Sequence, residues 1–378
     1  MPSPTKIYLI AGEASGDLHG GSLVREIRRL QPAAELRAWG GDLMAAAGAE
    51  IVKHYRDLAF MGFVEVVANL PTILRNIRRC KEDVLAFAPD VLVLIDYPGF
   101  NLRIARWAKK EGIRVVYYIS PQIWAWHSSR VHNIKKSVDR MLVILPFEQE
   151  FYANYEFPVD FVGHPLLDVV AAKEAEPLPD RATDHEPGTK LVALLPGSRK
   201  QEIARMLAVM LAAAALRPAH TYALAMAPGQ EESYYLNLLN ELPTKPPRLI
   251  LRSGATHDLL RRSDAALVTS GTATLETALF GVPEVVCYQA GNLSYQIARR
   301  LINVPYISLV NLVMDREIVT ELIQSDLTPE RLAAELDRLL QPDLQERFKE
   351  DYAELRHRLG DGGAAARAAA LVCEGLRE

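Results

Sequence analysis

Residues 268–285, VTSGTATLETALFGVPEV, decide the fold. They begin with the end of an apolar run, Ala265–Val268, of the length of a buried strand. The chain then turns through Ser270-Gly271-Thr272 and enters a helical repeat with Leu275, Ala278 and Leu279 on one face. Gly281 and Pro283 stop that helix, as Gly just past a C-terminus and Pro soon after it do. A strand feeding a glycine turn and a helix N-terminus aims backbone N–H groups and a positive dipole end at one point, which suits a phosphate. Glu276, within the first two turns, has two readings: a carboxylate that favours the helix dipole, or an acceptor for ribose hydroxyls of a nucleotide lying over the turn. Ala273 stands three residues before it, so a capping box does not account for it.

The same unit recurs upstream. Lys190 and the apolar strand Leu191–Leu195 lead to Pro-Gly-Ser-Arg-Lys-Gln-Glu202 and a helix to Leu216. Arg199 and Lys200 at that helix start suit a pyrophosphate. Further strands are expected at Tyr222–Met226, Leu249–Leu251 and Val285–Tyr288. Near the N-terminus, Lys6–Ala11 reads as a buried strand, Gly12–Asp17 as a turn and Leu18–Leu30 as a helix, the opening of a doubly wound α/β unit. The spacing is not G-x-G-x-x-G, so the dinucleotide fingerprint is not assigned. This turn carries Glu13, Ser15 and Asp17. Acidic side chains repel a phosphate, so it suits hydroxyls or proton transfer, while Ser15 or Asp17 singly also fits an N-cap.

Val91–Ile95 is a continuous apolar run of the kind buried on both faces of a parallel sheet. It ends at Asp96-Tyr-Pro-Gly-Phe-Asn101, with Asn101 read as the cap of a helix reaching Glu111. Ligands of open α/β sheets lie beyond the carboxyl ends of strands. Asp96 stands there, where desolvation raises a carboxylate's pKa, and it is the general-base candidate. Val115–Ile119 leads into Ser120-Pro-Gln-Ile-Trp-Ala-Trp126-His127, whose tryptophans read as a lid or wall. Strands at Arg140–Leu145 and Val159–Val162 complete a first domain, 1–165. Residues 166–189, where periodicity dissolves into AAKEAEPLPDRATDHEPGT, read as a linker or exposed excursion. A second domain spans 190–340, mostly helical after Ser294. Helical stretches broken at Pro342 and Gly360–Gly363 make 341–378 long enough to return to the first domain or to a partner protomer.

One segment follows a different rule. Phe60, Phe63, Val67, Leu70, Leu74 and Ile77 repeat at heptad-like spacing, widened by Met61, Val64 and Val66, and Pro71 fits the first turn of a new helix. One reading is a core helix pair. The other, prompted by Arg75, Arg78, Arg79 and Lys81 beyond the apolar face, is an interfacial membrane contact or a lipid-chain groove.

A chain of 378 residues is too long for one ordinary core, and two domains are expected. A net charge of −4 gives no electrostatic case for nucleic acid. Three scattered cysteines point to a reducing compartment, with no disulfide framework or thiolate metal cluster. The apolar run before Gly12 is too short for a secretory signal, and none approaches the roughly eighteen residues of a membrane span; a cytoplasmic protein is expected. There is no D-x-D pair, no Gly-Lys dipeptide and no G-x-S-x-G, and the histidines lack zinc-type pairs, so no metal site is assigned. Two nucleotide-style turns, no metal motif and acidic strand ends suggest a two-domain transferase with its site in the cleft.

AGEASGD (11–17), IDYPGFN (95–101), SPQIWAW (120–126), LPGSR (195–199) and SGTATLE (270–276) occur in this order at these separations. In combination they closely resemble the lipid-A-disaccharide synthase family, and the resemblance covers nearly the whole chain. It implies an inverting glycosyltransferase of GT-B architecture: two Rossmann-like α/β domains facing a cleft, with C-terminal helices packed back on the N-terminal domain. The implied reaction joins UDP-2,3-diacylglucosamine to 2,3-diacylglucosamine 1-phosphate, forming a β-1,6 disaccharide and UDP without a cofactor. In the second domain Gly197, Ser198, Arg199, Ser270, Gly271 and Thr272 would hold the phosphates and Glu276 the ribose. Asn311 of the SLxN segment would join the UDP site, with Arg316 and Glu317 helping to close the cleft.

In the first domain the resemblance makes Asp96 the base for the acceptor 6-hydroxyl, with Glu13 or Asp17 as fallback. Ser15, Asn101, Trp126, His127 and Arg130 would bind the acceptor. Inversion follows from one in-line displacement, and Arg199 with the helix N-terminus would meet the charge on departing UDP in a metal's stead. Acylated substrates turn the Phe60, Phe63, Val67, Leu70 and Leu74 face into a lipid or membrane contact, and imply a peripheral seat on the cytoplasmic surface of the inner membrane. A homodimer by exchange of the C-terminal helices is compatible with the sequence. His127 departs from the Arg that often follows W-A-W in this family. Binding of acceptor phosphate then becomes pH-dependent, or Arg130 takes the role. The competing readings are a UDP-N-acetylglucosamine epimerase, a cell-wall sugar transferase of the same fold, and a nucleotide-sugar-binding protein without catalysis.

Overall fold

The structure, a computed structural model, describes residues 4–58, 70–178, 189–291, 295 and 304–376. It divides into two units, Met1–Pro165 with Gly360–Glu378, and Leu166–Leu359. Each is a Rossmann-like unit on a parallel sheet.

The strands of the first unit are β1 (Lys6–Ala11), β2 (Glu35–Gly40), β3 (Glu50–His54), β4 (Val91–Ile95), β5 (Arg114–Tyr118), β6 (Arg140–Val143) and β7 (Asp160–Phe161). Their order is β3-β2-β1-β4-β5-β6-β7, parallel throughout. Alternate residues of the central strands feed two cores. Tyr8, Ile10, Leu92, Leu94 and Tyr117 lie in one, and Ile7, Leu9, Val91, Val93 and Val116 in the other. Burial on both faces is why these strands read as unbroken apolar runs. The strands β2 and β3 escape that signal: β2 mixes Glu35 and Arg37 into its apolar residues, and β3 is a half-buried edge strand with Glu50, Lys53 and His54.

The second unit holds β8 (Leu191–Leu195), β9 (Thr221–Met226), β10 (Leu249–Ser253), β11 (Ala265–Thr269), β12 (Glu284–Tyr288) and β13 (Thr320–Ile323), ordered β10-β9-β8-β11-β12-β13. The short β13 lies in a stretch expected to be helical. In both sheets the strand order reverses beside the first strand, between β1 and β4 and between β8 and β11. Ligands of such sheets gather beyond the strand ends at that reversal.

Two boundaries differ from expectation. Leu166–Glu174 is a helix of the second unit with Leu166, Leu167 and Val170 buried, so the first half of the expected linker is structured. The helix Pro342–Arg358 also stays with the second unit, and only the segment from Gly360 joins the first. There Ala368, Ala369 and Val372 of the helix Ala364–Cys373 enter the core beside Leu23, Val24 and Ile27. Gly360 permits this passage: its φ is +85°, and a Cβ would lie 3.3 Å from the Gly163 Cα. Cys80, Cys287 and Cys373 are free thiols.

Phe60, Phe63 and Val67 lie outside the described residues. Leu70 opens the helix Leu70–Phe87, which carries Pro71 in its first turn; Ile77 is buried, whereas Leu74 is 55% exposed. Among the described residues no helix is long and apolar enough to cross a membrane.

Candidate active site

In the first unit β1 and β4 pair side by side, Ala11 opposite Ile95, so the turns that follow them are neighbours. Gly12 opens the first turn because the Tyr97 ring fills the space a side chain there would need, 2.2 Å from an added Cβ. Glu13 then takes the N-cap position of the helix Ala14–Leu30 with extended backbone and makes no side-chain cap bond. Its carboxylate is exposed, as is Ser15 in the first helical turn.

Asp96 ends β4 in an unusual backbone. It and Tyr97 are both left-handed, with φ of +45° and +48°, a conformation that costs a non-glycine residue roughly 1–2 kcal/mol. Burial pushes the Asp96 carboxyl up to about 6; the Glu13 charge adds to the rise and the Tyr97 N–H opposes it. Asp96 and Glu13 therefore stand on neighbouring turns at the sheet reversal, where the Glu13 charge acts on Asp96.

Asp17 is engaged elsewhere. Its Oδ1 accepts from the N–H groups of Gly41 (2.7 Å) and Met44 (3.1 Å), and its Oδ2 from Leu43 (3.0 Å). It holds the start of the short helix Asp42–Ala46 and is buried. Asn101 is not the helix cap. The helix starts at Pro98, and Asn101 is wholly buried inside it. Its Nδ2 donates to Asp96 O (2.7 Å) and Ile95 O (3.1 Å), so the side chain ties the turn and does not face an acceptor.

Beyond β5 the W-A-W loop forms a second cluster. Trp124 packs edge-on against Phe147 at 4.9 Å and acts as wall. Trp126 is 47% exposed, with the Arg130 guanidinium 5.2 Å above its ring and the His127 ring 4.6 Å away. An aromatic face with two cationic or polar partners suits a sugar phosphate.

In the second unit β8 and β11 pair with Leu195 opposite Val268, which again sets two turns side by side. Gly197 has φ +104°, and the Glu202 carboxylate and Thr269 lie against it. Ser198 is exposed. Arg199 is 75% exposed, 3.4 Å from Glu202, and free to swing onto an anion. Ser270 is fixed by Cys287 O, which accepts its N–H at 3.0 Å, and by its own hydroxyl, which donates to Ile307 O at 3.1 Å. Gly271 and Thr272 stand exposed at the start of the helix Thr272–Leu279. Glu276 faces His257, Oε2 to Nε2 at 3.6 Å.

Asn311 is not part of that surface. It is wholly buried; its Oδ1 accepts from Ile318 N (2.8 Å) and Val319 N (3.0 Å), and its Nδ2 donates to Val319 O and Glu321 Oε1, both at 2.9 Å. It clamps the loop before β13. Arg316 is likewise engaged inside the unit, 2.7 Å from Asp351 and 2.9 Å from Glu354.

Several site neighbours had no sequence signal. Tyr117 donates its hydroxyl to Asp96 O at 2.6 Å, but its tyrosine reads as one more strand apolar. Glu148 is buried, accepts from Leu145 N and Ile144 N at 3.0 and 3.2 Å, and burial pushes it up to about 7. Burial lowers His19 to about 4 and, with His19 adding to it, His164 to about 3. Among the described residues no group of three or more His, Cys, Asp and Glu is placed to hold a metal ion.

Residues 7–372 match the family described as lipid-A-disaccharide synthetase. A lipid-A-disaccharide synthase of Syntrophus aciditrophicus (strain SB) is 45% identical over 97% of this chain and 96% of its own. One from Myxococcus xanthus (strain DK1622) is 40% identical over 99% of this chain and 98% of its own. Among solved structures, UDP-GlcNAc 2-epimerase from Neisseria meningitidis bound to UDP-GlcNAc aligns with a TM-score of 0.66 at 10% identity, covering 98% of this chain and 100% of that one. CalG4, the calicheamicin glycosyltransferase, aligns at 0.62 and 18% identity, covering 100% of both. At such identities the solved structures share the fold alone. The sequence relatives reach further: the chain belongs to the lipid-A-disaccharide synthetase family.

Proposed function

We propose that the protein transfers the diacylglucosaminyl group of UDP-2,3-diacylglucosamine to the 6-hydroxyl of 2,3-diacylglucosamine 1-phosphate, giving the β-1,6 disaccharide 1-phosphate and UDP. The observation that carries this reading is the family match over residues 7–372, and Asp96, a carboxyl at the sheet reversal pushed up to about 6 by burial and the Glu13 charge, is assigned as the base. Such a group is ionised at neutral pH yet basic enough to take a hydroxyl proton. The acceptor O6 attacks the anomeric carbon as its bond to the UDP oxygen breaks; the O6 proton passes to Asp96, and the bonding electron pair leaves on UDP.

Arg199 and the N–H groups opening the helix Thr272–Leu279 are assigned to that departing charge, and Glu276 to the ribose hydroxyls. Glu13 and Ser15 orient the acceptor sugar, and Trp126, His127 and Arg130 take its face and its phosphate. Exposed Leu74, Arg75, Arg78 and Arg79 support a lipid contact by the Phe60–Leu74 face and a peripheral seat on the cytoplasmic surface of the inner membrane. The epimerase reading gains nothing specific, since the likeness to the Neisseria enzyme is one of fold.

The test is UDP release from UDP-2,3-diacylglucosamine with and without the acylated monosaccharide phosphate, with products weighed by mass spectrometry. Acceptor-dependent release with a disaccharide is expected. Turnover of plain UDP-N-acetylglucosamine without the acceptor would contradict the proposal.

A further inference from the structure

The turn after β4 is held by more bonds than a turn needs. Left-handed backbone at two successive non-glycine residues, Asp96 and Tyr97, persists only where the surroundings over-determine it. The surroundings here are specific. Tyr117 on β5 donates its hydroxyl to Asp96 O at 2.6 Å, and Asn101 Nδ2, from the following helix, donates to the same oxygen at 2.7 Å and to Ile95 O at 3.1 Å. The Asp96 N–H donates to Tyr118 O at 3.0 Å. The Tyr97 ring in turn packs on Gly12, which opens the neighbouring turn.

These bonds hold the main chain of Ile95 and Asp96, and none of them engages the Asp96 carboxylate. Tyr117 and Asn101 are both fully buried, so neither reaches a sugar. Packing alone does not call for their polar atoms: Phe and Leu occupy similar volumes, and a buried hydroxyl or amide is a cost unless it is hydrogen-bonded.

We infer that Tyr117 and Asn101 are positioning residues, which lock the Asp96–Tyr97 turn so that the Asp96 carboxylate is presented beside Glu13 toward the acceptor hydroxyl. The inference rests on Asp96 being the base. Without the lock the turn relaxes toward ordinary backbone, the Asp96 Cβ swings, and the carboxylate leaves both its buried setting and the Tyr97 N–H. A misplacement on the order of 1 Å at the reacting group costs about a hundredfold in rate.

The experiment compares wild type, Asp96→Asn, Tyr117→Phe and Asn101→Ala in acceptor-dependent UDP release across pH 5–9, with UDP affinity and melting temperature measured alongside. Tyr117→Phe is expected to lower kcat at least tenfold while acceptor KM and UDP affinity stay near wild type. Its acid limb should move below that of wild type, because a released carboxylate regains solvent. Asn101→Ala should do the same where it folds; where it does not, Tyr117→Phe decides alone. An inactive Asp96→Asn together with a Tyr117→Phe of wild-type kcat and unmoved acid limb would overturn the positioning role and leave the base reading standing. A Tyr117→Phe whose rate falls only with its melting temperature, the limb unmoved, would likewise make Tyr117 merely structural. A fully active Asp96→Asn would remove the base, and the positioning role with it.

Discussion

The carboxylate of Asp17 accepts the backbone N–H of Gly41 at 2.7 Å, and with Leu43 and Met44 it is saturated by main-chain donors. Asp96, after the neighbouring strand β4, is pushed upward by burial and by Glu13, with the Tyr97 N–H opposing the rise. Two aspartates that look alike as candidate bases are thus separated by where their hydrogen bonds go. One is engaged by main-chain donors; the other is the proposed base.

Asp17→Ala should destabilise the first unit, since it leaves the Gly41, Leu43 and Met44 N–H groups without their acceptor. The expected cost is about 2–4 kcal/mol, from a lost cap and charge-assisted bonds. Denaturant unfolding checks it. Wild-type stability with lost turnover would return Asp17 to the chemistry.

The pH profile of kcat/KM should fall on the acid side through about 6, the value to which Asp96 is raised, because the base is lost as it gains its proton. The Glu13 charge contributes to that rise, so Glu13→Gln should move the limb to lower pH. A limb that stays put in the variant would mean that the two carboxylates do not interact.

Arg199→Ala and Glu276→Ala should each weaken UDP binding roughly 10–100-fold, the equivalent of one charge-assisted contact apiece. Arg199 is 75% exposed, so its removal should leave the melting temperature in place. Titration calorimetry with UDP measures both. Unchanged affinity in either variant would put the corresponding UDP group elsewhere.

Glu284 is fully buried on β12, and burial holds its carboxyl well above the ordinary carboxylate range. Neither oxygen has a hydrogen-bond partner among the described residues. The folded protein keeps this proton when the unfolded chain has released it. The contribution is therefore whole below the unfolded value and is lost as pH rises toward and through the raised folded one. Glu284→Met should raise the melting temperature more at pH 8 than at pH 5. An equal shift at both would show that proton uptake at this site is not linked to folding.

The doubly wound fold was legible wherever strands are buried on both faces, as Lys6–Ala11, Val91–Ile95 and Leu191–Leu195 are. It was not legible at β2 and the edge strand β3, where charged residues break the run. Exposed Glu13 and Arg199 stand at the helix starts where their motifs put them, and half-buried Glu276 lies within the helix Thr272–Leu279. Asp17, Asn101 and Asn311 are each bonded to backbone, for a shared reason. A short polar side chain in a motif reads the same whether it faces a ligand or ties down backbone, and only the fold decides which N–H and C=O groups it meets. Tyr117 was invisible because a hydroxyl on a strand tyrosine changes nothing in the apolar pattern.

The most direct measurement is acceptor-dependent UDP release by Asp96→Asn, with UDP affinity determined on the same preparation. The amide keeps the shape of the side chain but cannot take the acceptor proton. Turnover should fall by about 10²–10⁴-fold, the usual worth of a general base, with UDP binding unchanged. Turnover within a few-fold of wild type would contradict the assignment of Asp96 and the mechanism built on it.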